Sequence, residues 1–175
     1  ASLDDLTADE RTWAEDAEAF WANRPAYAHQ QATRPQTIGY ALVDSPVGQL
    51  AWILDKFAEW TDTCDSPFET ISRDRLLDNV SLYWLMRTGA SSARIYAESH
   101  DSLDPDLRVD VPTAITMYPC DIERYPRALS RQRYRHIVRW QAAPKGGHFP
   151  SLEAPHEFLA DLRAGLTAIL TRCRT

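Results

Sequence analysis

Only two segments of the 175-residue chain read as β-strands, and both fall in its last third, after about a hundred residues of largely helical spacing. They are Val109–Met117, apolar with a proline near its start, and His136–Gln141, rich in β-branched and aromatic residues. The stretch 123–135 between them reads as partly helical, and Pro155 opens a helix with Phe158, Leu162, Leu166 and Ile169 on one stripe. Strand, helix, strand, helix is an α/β unit. Two strands are too few for a free-standing parallel sheet covered on both faces. The pattern therefore expects further strands upstream of Ala1 and divides the chain near residue 107.

The first part is all-helical by pattern. Thr7 and Glu10 form a capping box, after which Trp13, Ala17, Phe20 and Trp21 recur at helical spacing until Asn23-Arg24-Pro25. Ala26 to Val43 lacks a clean period, contains Pro35, and reads as a loop or broken helix holding Tyr27, His29 and Tyr40. Ser45 as cap and Pro46 at the first position open a strong helix, with Val47, Leu50, Leu54 and Phe57 on one face, that ends near Trp60. Another amphipathic helix turns Leu76, Val80, Tyr83 and Trp84 inward, and a short one follows Gly89, from about Ser91 to Glu98. Trp52, Trp60 and Trp84 are expected to pack this helical part, or one of them to line an apolar pocket. Asp101 to Asp110, acidic and broken by Pro105, reads as a linker.

Composition narrows the functions. Nineteen basic against 25 acidic residues give a formal charge of −6, and the arginines are dispersed, which argues against nucleic acid as a partner. Apolar runs such as Ala51–Leu54 are far too short to cross a membrane. Cys64, Cys120 and Cys173 include no C-x-x-C, and His29, His100, His136 and His156 share no metal-ligand spacing. We therefore expect free thiols in a reducing, cytoplasmic compartment, and neither a metal nor a cofactor. The six glycines form neither a dinucleotide-binding G-x-G-x-x-G nor a serine-nucleophile G-x-S-x-G.

The strongest local signal is Lys145-Gly146-Gly147-His148-Phe149, between a predicted strand and a predicted helix. In open α/β sheets, ligands gather at the carboxyl ends of strands, and two glycines would let the chain turn there while presenting the imidazole. Tyr118-Pro119-Cys120-Asp121 follows the preceding strand and puts a carboxylate at the same edge, able in principle to accept from Nδ1–H of His148. Ordinary readings stand beside these: a turn histidine, and a helix-capping aspartate. Acid then histidine, on the last two strand ends, is how an α/β-hydrolase triad finishes.

The run Gln31 to Gly48, containing Thr33-Arg34-Pro35-Gln36-Thr37 and Asp44-Ser45-Pro46-Val47-Gly48, closely resembles the lid of the microsomal and juvenile-hormone type epoxide hydrolases. So do Ala93-Arg94-Ile95-Tyr96 with Glu98, Tyr118-Pro119-Cys120-Asp121 and Gly146-Gly147-His148-Phe149. The resemblance runs from about Leu6 to Leu170 and implies an α/β-hydrolase fold, with 1–107 as helical lid and 108–175 as the last strands and helices of the core. It implies that a nucleophilic aspartate opens an epoxide to an alkyl-enzyme ester while two lid tyrosines, matching Tyr27 and Tyr96, hydrogen-bond the leaving oxygen. His148 then matches the base that deprotonates the hydrolytic water, and Asp121 the carboxylate that orients it. The family often has glutamate at the Asp121 position; Glu123, the nearest rival, falls two residues off the motif.

The chemistry is consistent with those roles. An epoxide has no carbonyl to polarise, so its strained C–O bond needs donors aimed at oxygen, and phenols remain protonated at neutral pH. Ester hydrolysis needs a base titrating near neutrality, as a carboxylate-oriented imidazole does. Outside the resemblance, Tyr27 and Tyr96 read as core or helix-surface aromatics in preference to functional groups. The family's nucleophile elbow and its HG-x-P-type loop lie upstream of the lid, and neither motif is among these residues. The expected partners are thus a small epoxide, water and an N-terminal half of the hydrolase core, with a homodimer compatible. A detoxifying or secondary-metabolic role would follow. Ester or haloalkane hydrolysis, and a non-catalytic binding module, are the alternatives.

Overall fold

Thr7 starts the first helix as its spacing to Glu10 requires: the Glu10 carboxylate accepts from the Thr7 N–H at 3.1 Å, and Thr7 Oγ1 accepts from the Glu10 N–H at 3.3 Å. The computed structural model describes residues 6–23, 26–99 and 107–173. Arg24-Pro25, His100 and most of the acidic connection that includes Pro105 lie outside the described residues. Contacts gather the chain into two units. One comprises 6–20, 60–62 and 107–173 of the described residues; the other comprises 21–23, 26–59 and 63–99. A cut at 107 alone would leave Trp60–Asp62 with the helices, whereas their contacts group them with the strands.

Helix α1 (Ala8–Asn23) is followed by α2 (Ala26–Thr33) and α3 (Pro35–Asp44). The stretch 26–43, read from sequence as a loop or broken helix, is thus two helices meeting at one residue. Arg34 sits at φ −140°, ψ 56°, outside the helical region, because the proline that follows disfavours it there. Pro35 then needs no N–H partner at the first position of α3. Helix α4 (Pro46–Trp60) is capped by Ser45, whose Oγ accepts from Gly48 N–H at 3.0 Å.

In the helical unit, α5 (Arg73–Leu85) buries Leu76 and Val80 and α6 (Gly89–Ser99) buries Ala93. Helix α6 packs on both α2 and α3. The contact with α3 is close because its residues are small: a Cβ on Gly39 would stand 3.0 Å from Ala90 Cβ, and one on Gly89 would stand 2.9 Å from Leu42 Cβ. Gly89 is therefore a packing residue that begins α6, not the stop of α5. The left-handed residue that ends α5 is Arg87, at φ 53°. Thr88 N–H bonds Tyr83 O at 3.0 Å and Arg87 N–H bonds Trp84 O at 3.1 Å, which is a Schellman motif without its usual glycine.

In the other unit, β1 (Thr113–Met117) and β2 (Ile137–Ala142) pair in parallel, with Met117 opposite Ala142 and an irregularity between Thr113 and Ala114. The intervening stretch is helical in part, as expected: α7 (Arg127–Arg133) starts after Pro126 and ends where Tyr134 has returned to extended backbone. Beyond β2 come α8 (Pro150–Glu153) and α9 (Pro155–Cys173), and α9 packs on both strands. Gly165 lets it approach β1, since a Cβ there would meet Ala114 Cβ at 3.1 Å. Leu162 and Leu166, on the apolar stripe read from sequence, remain exposed.

Arg87→Gly should stabilise the protein by about 1 kcal/mol, because a Cβ residue is disfavoured in the left-handed region by about that much. A rise in the urea midpoint without a change in slope would show it; an unchanged or lower midpoint would contradict it.

Candidate active site

Parallel pairing carries two side chains of distant sequence to one place. Past the ends of β1 and β2 the parallel pairing resumes with two extra residues on the β2 side: Ala143 N–H bonds Met117 O at 2.8 Å, and an isolated parallel bridge joins Cys120 to Gly147. Asp121 and His148 each follow a bridged residue by one position. They meet: His148 Nδ1 lies 2.8 Å from Asp121 Oδ1 across 27 residues of sequence. The same Oδ1 accepts from Ile122 N–H at 2.8 Å, which fixes the carboxylate. An ionised carboxylate can only accept, so Nδ1 carries the proton and Nε2 keeps its lone pair free to act as a base. His148 and Asp121 side chains are 38% and 31% exposed, so solvent reaches the pair.

The backbone under His148 requires both glycines. Gly146 has φ +112°, where any side chain is strained, and a Cβ on it would strike the Tyr118 ring at 2.9 Å. A Cβ on Gly147 would stand 2.5 Å from Trp60 O and 3.0 Å from Asp62 N. The reading of two glycines as the means of presenting the imidazole thus has a steric cause. The ring lies edge-on to Trp60 at 5.1 Å and to Phe149 at 5.2 Å between centroids.

Three neighbours of His148 were not anticipated. Trp60, expected to pack the helical part, instead contacts the imidazole, and its carbonyl accepts from His148 N–H at 2.8 Å. Asp62 accepts from Gly146 N–H at 2.8 Å and from the Cys120 thiol at 3.0 Å. These two bonds, the thiol's first, hold the Asp62 carboxyl below its ordinary range. Glu153 accepts from the N–H groups of Asp62, Gly147 and Phe149. Only Glu153 left a trace in the sequence, as an acid in the first turn of a helix opened by Pro150.

Tyr27 and Tyr96, in the helical unit, also come together. Tyr27 rises from α2 and is buried; Tyr96, on α6, is 39% exposed. Their rings meet edge to face with centroids 6.0 Å apart. Lys56 Nζ stands 4.7 Å over the Tyr27 ring, a cation on its negative face, while pairing with Asp55 at 2.7 Å. Tyr27, Gln30, Thr37, Ile38, Trp52 and Lys56 line a depression of about 440 Å³. Among the described residues, no group of three or more His, Cys, Asp or Glu side chains is placed to hold a metal, and no helix is long and apolar enough to cross a membrane.

A helical unit together with a parallel strand pair that carries acid and histidine at its carboxyl edge is part of the α/β-hydrolase fold, the fold of the solved structures that this chain matches. An Aspergillus niger epoxide hydrolase aligns with TM-score 0.83 and 31% identity over 97% of this chain and 42% of that one. The juvenile hormone epoxide hydrolase of the silkworm Bombyx mori aligns with TM-score 0.82 and 30% identity over 94% of this chain and 41% of its own.

By sequence, the homologues carry the same name. The chain is 35% identical over 151 residues to epoxide hydrolase 1 of Oryctolagus cuniculus, covering 78% of this chain and 32% of that protein. A Stigmatella aurantiaca protein named as a candidate epoxide hydrolase is 43% identical over 159 residues, 91% of this chain and 36% of its own length. The resemblance to microsomal and juvenile-hormone type epoxide hydrolases therefore stands. The chain spans about a third of the length of the curated relatives it matches. No protein-family model matches it.

Gly147→Ala should destabilise the protein by about 1–3 kcal/mol, because the new methyl meets backbone atoms and not a flexible side chain. Denaturant unfolding measures this, and a loss below about half a kcal/mol would count against the packing described. A second expectation concerns pH. Burial first, and then the hydrogen bond and charge of Asp62, push the Cys120 thiol from its ordinary 9.0 up to about 11. The folded chain thus keeps a proton that the unfolded chain loses, so this contribution to stability is complete below pH 9 and disappears as pH rises through about 11. Iodoacetamide labelling of Cys120, followed by mass spectrometry, should accordingly stay slow at pH 8 and rise steeply toward pH 11.

Proposed function

We propose that this chain supplies the general base, its orienting carboxylate and the oxygen-binding phenols of an enzyme that opens epoxides to vicinal diols through an alkyl-enzyme ester. The observation that carries this reading is the His148 Nδ1 to Asp121 Oδ1 bond of 2.8 Å at the strand ends. In the proposed division, residues 1–107 form the lid and 108–175 the end of the catalytic core, completed by an N-terminal half that bears the nucleophilic aspartate.

In the first step a carboxylate of that complementary half attacks an epoxide carbon. An ester C–O bond forms, the ring C–O bond breaks, and the departing oxygen takes up negative charge. Tyr27 and Tyr96 donate their O–H groups to that oxygen, lowering the barrier as charge builds on it. In the second step Nε2 of His148 removes a proton from water, and the hydroxide adds to the ester carbonyl. Collapse breaks the ester C–O bond; of the two alkoxide oxygens, the one from ring opening and the one expelled here, one takes the imidazolium's proton and the other that of the new carboxyl group, which gives the diol and restores the carboxylate. Asp121 keeps Nδ1–H in place and stabilises the imidazolium while it exists. The homologues named as epoxide hydrolases support the reaction class, and the pairing of Tyr27 with Tyr96 favours it over ester hydrolysis, which needs no such donors. The free thiols of Cys64, Cys120 and Cys173 suit a reducing, cytoplasmic setting.

In the complete hydrolase, His148→Gln should retain alkylation and lose turnover, so that intact-mass spectrometry finds an enzyme heavier by one substrate molecule. Tyr27→Phe combined with Tyr96→Phe should lose alkylation itself, by on the order of 10²–10³-fold. No trapped ester in the first variant, or epoxide opening at the wild-type rate in the second, would overturn the reading. The 175-residue chain alone should turn over no epoxide.

A further inference from the structure

Four consecutive backbone N–H groups pass beneath the imidazole, and each has a fixed acceptor. Gly146 N–H is held by Asp62 Oδ2 at 2.8 Å, Gly147 N–H by Glu153 Oε2 at 3.0 Å, His148 N–H by Trp60 O at 2.8 Å, and Phe149 N–H by Glu153 Oε1 at 2.8 Å. Glu153 Oε2 also accepts from Asp62 N–H at 2.6 Å. One carboxylate therefore grips the chain on both sides of His148, one oxygen to each side, and ties that loop to the segment carrying Trp60 and Asp62.

From this geometry we propose that Glu153 is the positioning residue for His148, acting through the main chain and not through the ring. The proposal rests on the reading of His148 as the base of ester hydrolysis. Its chemistry is specific to a carboxylate. Three N–H donors converge on two oxygens, and an ionised carboxylate offers acceptor sites on both. A glutamine offers one oxygen and an NH₂ group, so it would leave either Phe149 N–H, or the N–H groups of Gly147 and Asp62, facing another donor. An unmatched donor in this partly buried site releases its part of the loop, and the Cβ of His148 moves with it. The Asp121 carboxylate makes no bond to Glu153 and is held on its own main chain by Ile122 N–H. A displacement of about 1 Å between base and water can cost on the order of 10²-fold in rate.

The consequence is confined to one step. Alkylation needs the nucleophile and the tyrosines; only hydrolysis of the ester needs His148. In the complete hydrolase, Glu153→Gln should therefore leave the rapid alkylation burst within about three-fold of wild type while steady-state turnover falls roughly 10–100-fold. The alkyl-enzyme should accumulate, and KM should fall together with kcat. Glu153→Asp keeps both acceptor oxygens on a shorter arm and should lie between Glu153→Gln and wild type. A merely structural role would lower burst and turnover together, in proportion to the folded fraction, and that outcome overturns the proposal, as does turnover of Glu153→Gln within three-fold of wild type. If Glu153→Gln does not fold, Glu153→Asp is read by the same split between burst and turnover, with equal losses counting against the proposal. His148→Gln run in parallel separates the two ideas. If it traps no ester, the reading of His148 as base fails. If it traps ester and Glu153→Gln does not, only the inference about Glu153 fails.

Discussion

The arrangement of this site depends on parallel pairing that resumes past the ends of two strands. Neither β1 nor β2 holds Asp121 or His148 within its regular ladder. The bridge between Cys120 and Gly147 extends the pairing just far enough to bring them together. A slip of one residue would send each side chain to the opposite face, and the 2.8 Å bond between imidazole and carboxylate could not form. The packing of α9 on β1 at Gly165 and the ion pair between Arg139 of β2 and Asp161 of α9, at 2.5 Å, both oppose such a slip. Asp161 also accepts from Thr116 of β1, so one carboxylate ties the helix to both strands.

The loop that follows illustrates how a catalytic turn is made rigid without regular structure. A turn that exposes an imidazole must also expose the N–H groups around it, and unpaired buried donors are costly. Here Asp62, Trp60 O and Glu153 accept all of them from Gly146 to Phe149. The acceptors crowd the chain so closely that no side chain fits at Gly147, and the turn itself demands positive φ at Gly146. The glycine pair and the carboxylate pair are therefore one device: the glycines permit the approach that lets Asp62 and Glu153 hold the backbone. Asp62 has a further effect: after burial, its bond to the Cys120 thiol helps to raise that thiol from its ordinary 9.0 to about 11.

Much of this was legible in the sequence, wherever the cause is local. The capping box of Thr7 and Glu10, the Ser45-Pro46 helix start and the two strands are written in neighbouring residues. Asp121 and His148 could be paired from sequence because each sits just past a strand, so topology alone brings them together. What could not be read depends on approach between distant segments. Trp60 and Asp62 lie 84 or more residues before the turn they hold, and nothing in their surroundings marks them. A glycine after a helix is usually its stop, but Gly89 is the first residue of the next helix. Tertiary packing against Leu42 claimed it instead, and Arg87 took the left-handed position. Ala26 to Val43 lost its period because two short helices with different faces were read as one segment.

The pairing of Tyr27 with Tyr96 follows from the same logic of close approach. Tyr96 is carried by α6, and α6 reaches α3 only because Gly39, Ala90 and Gly89 leave room at the seam. Tyr27, on α2, is buried against this platform with Lys56 over its ring face. An ammonium in that position is attracted to the negative face of the ring and helps to hold it in place. The small residues of the α3–α6 seam thus do for the two phenols what the glycine pair does for the imidazole: they remove bulk where the chain must come close, so that a side chain some distance away is held in a single orientation.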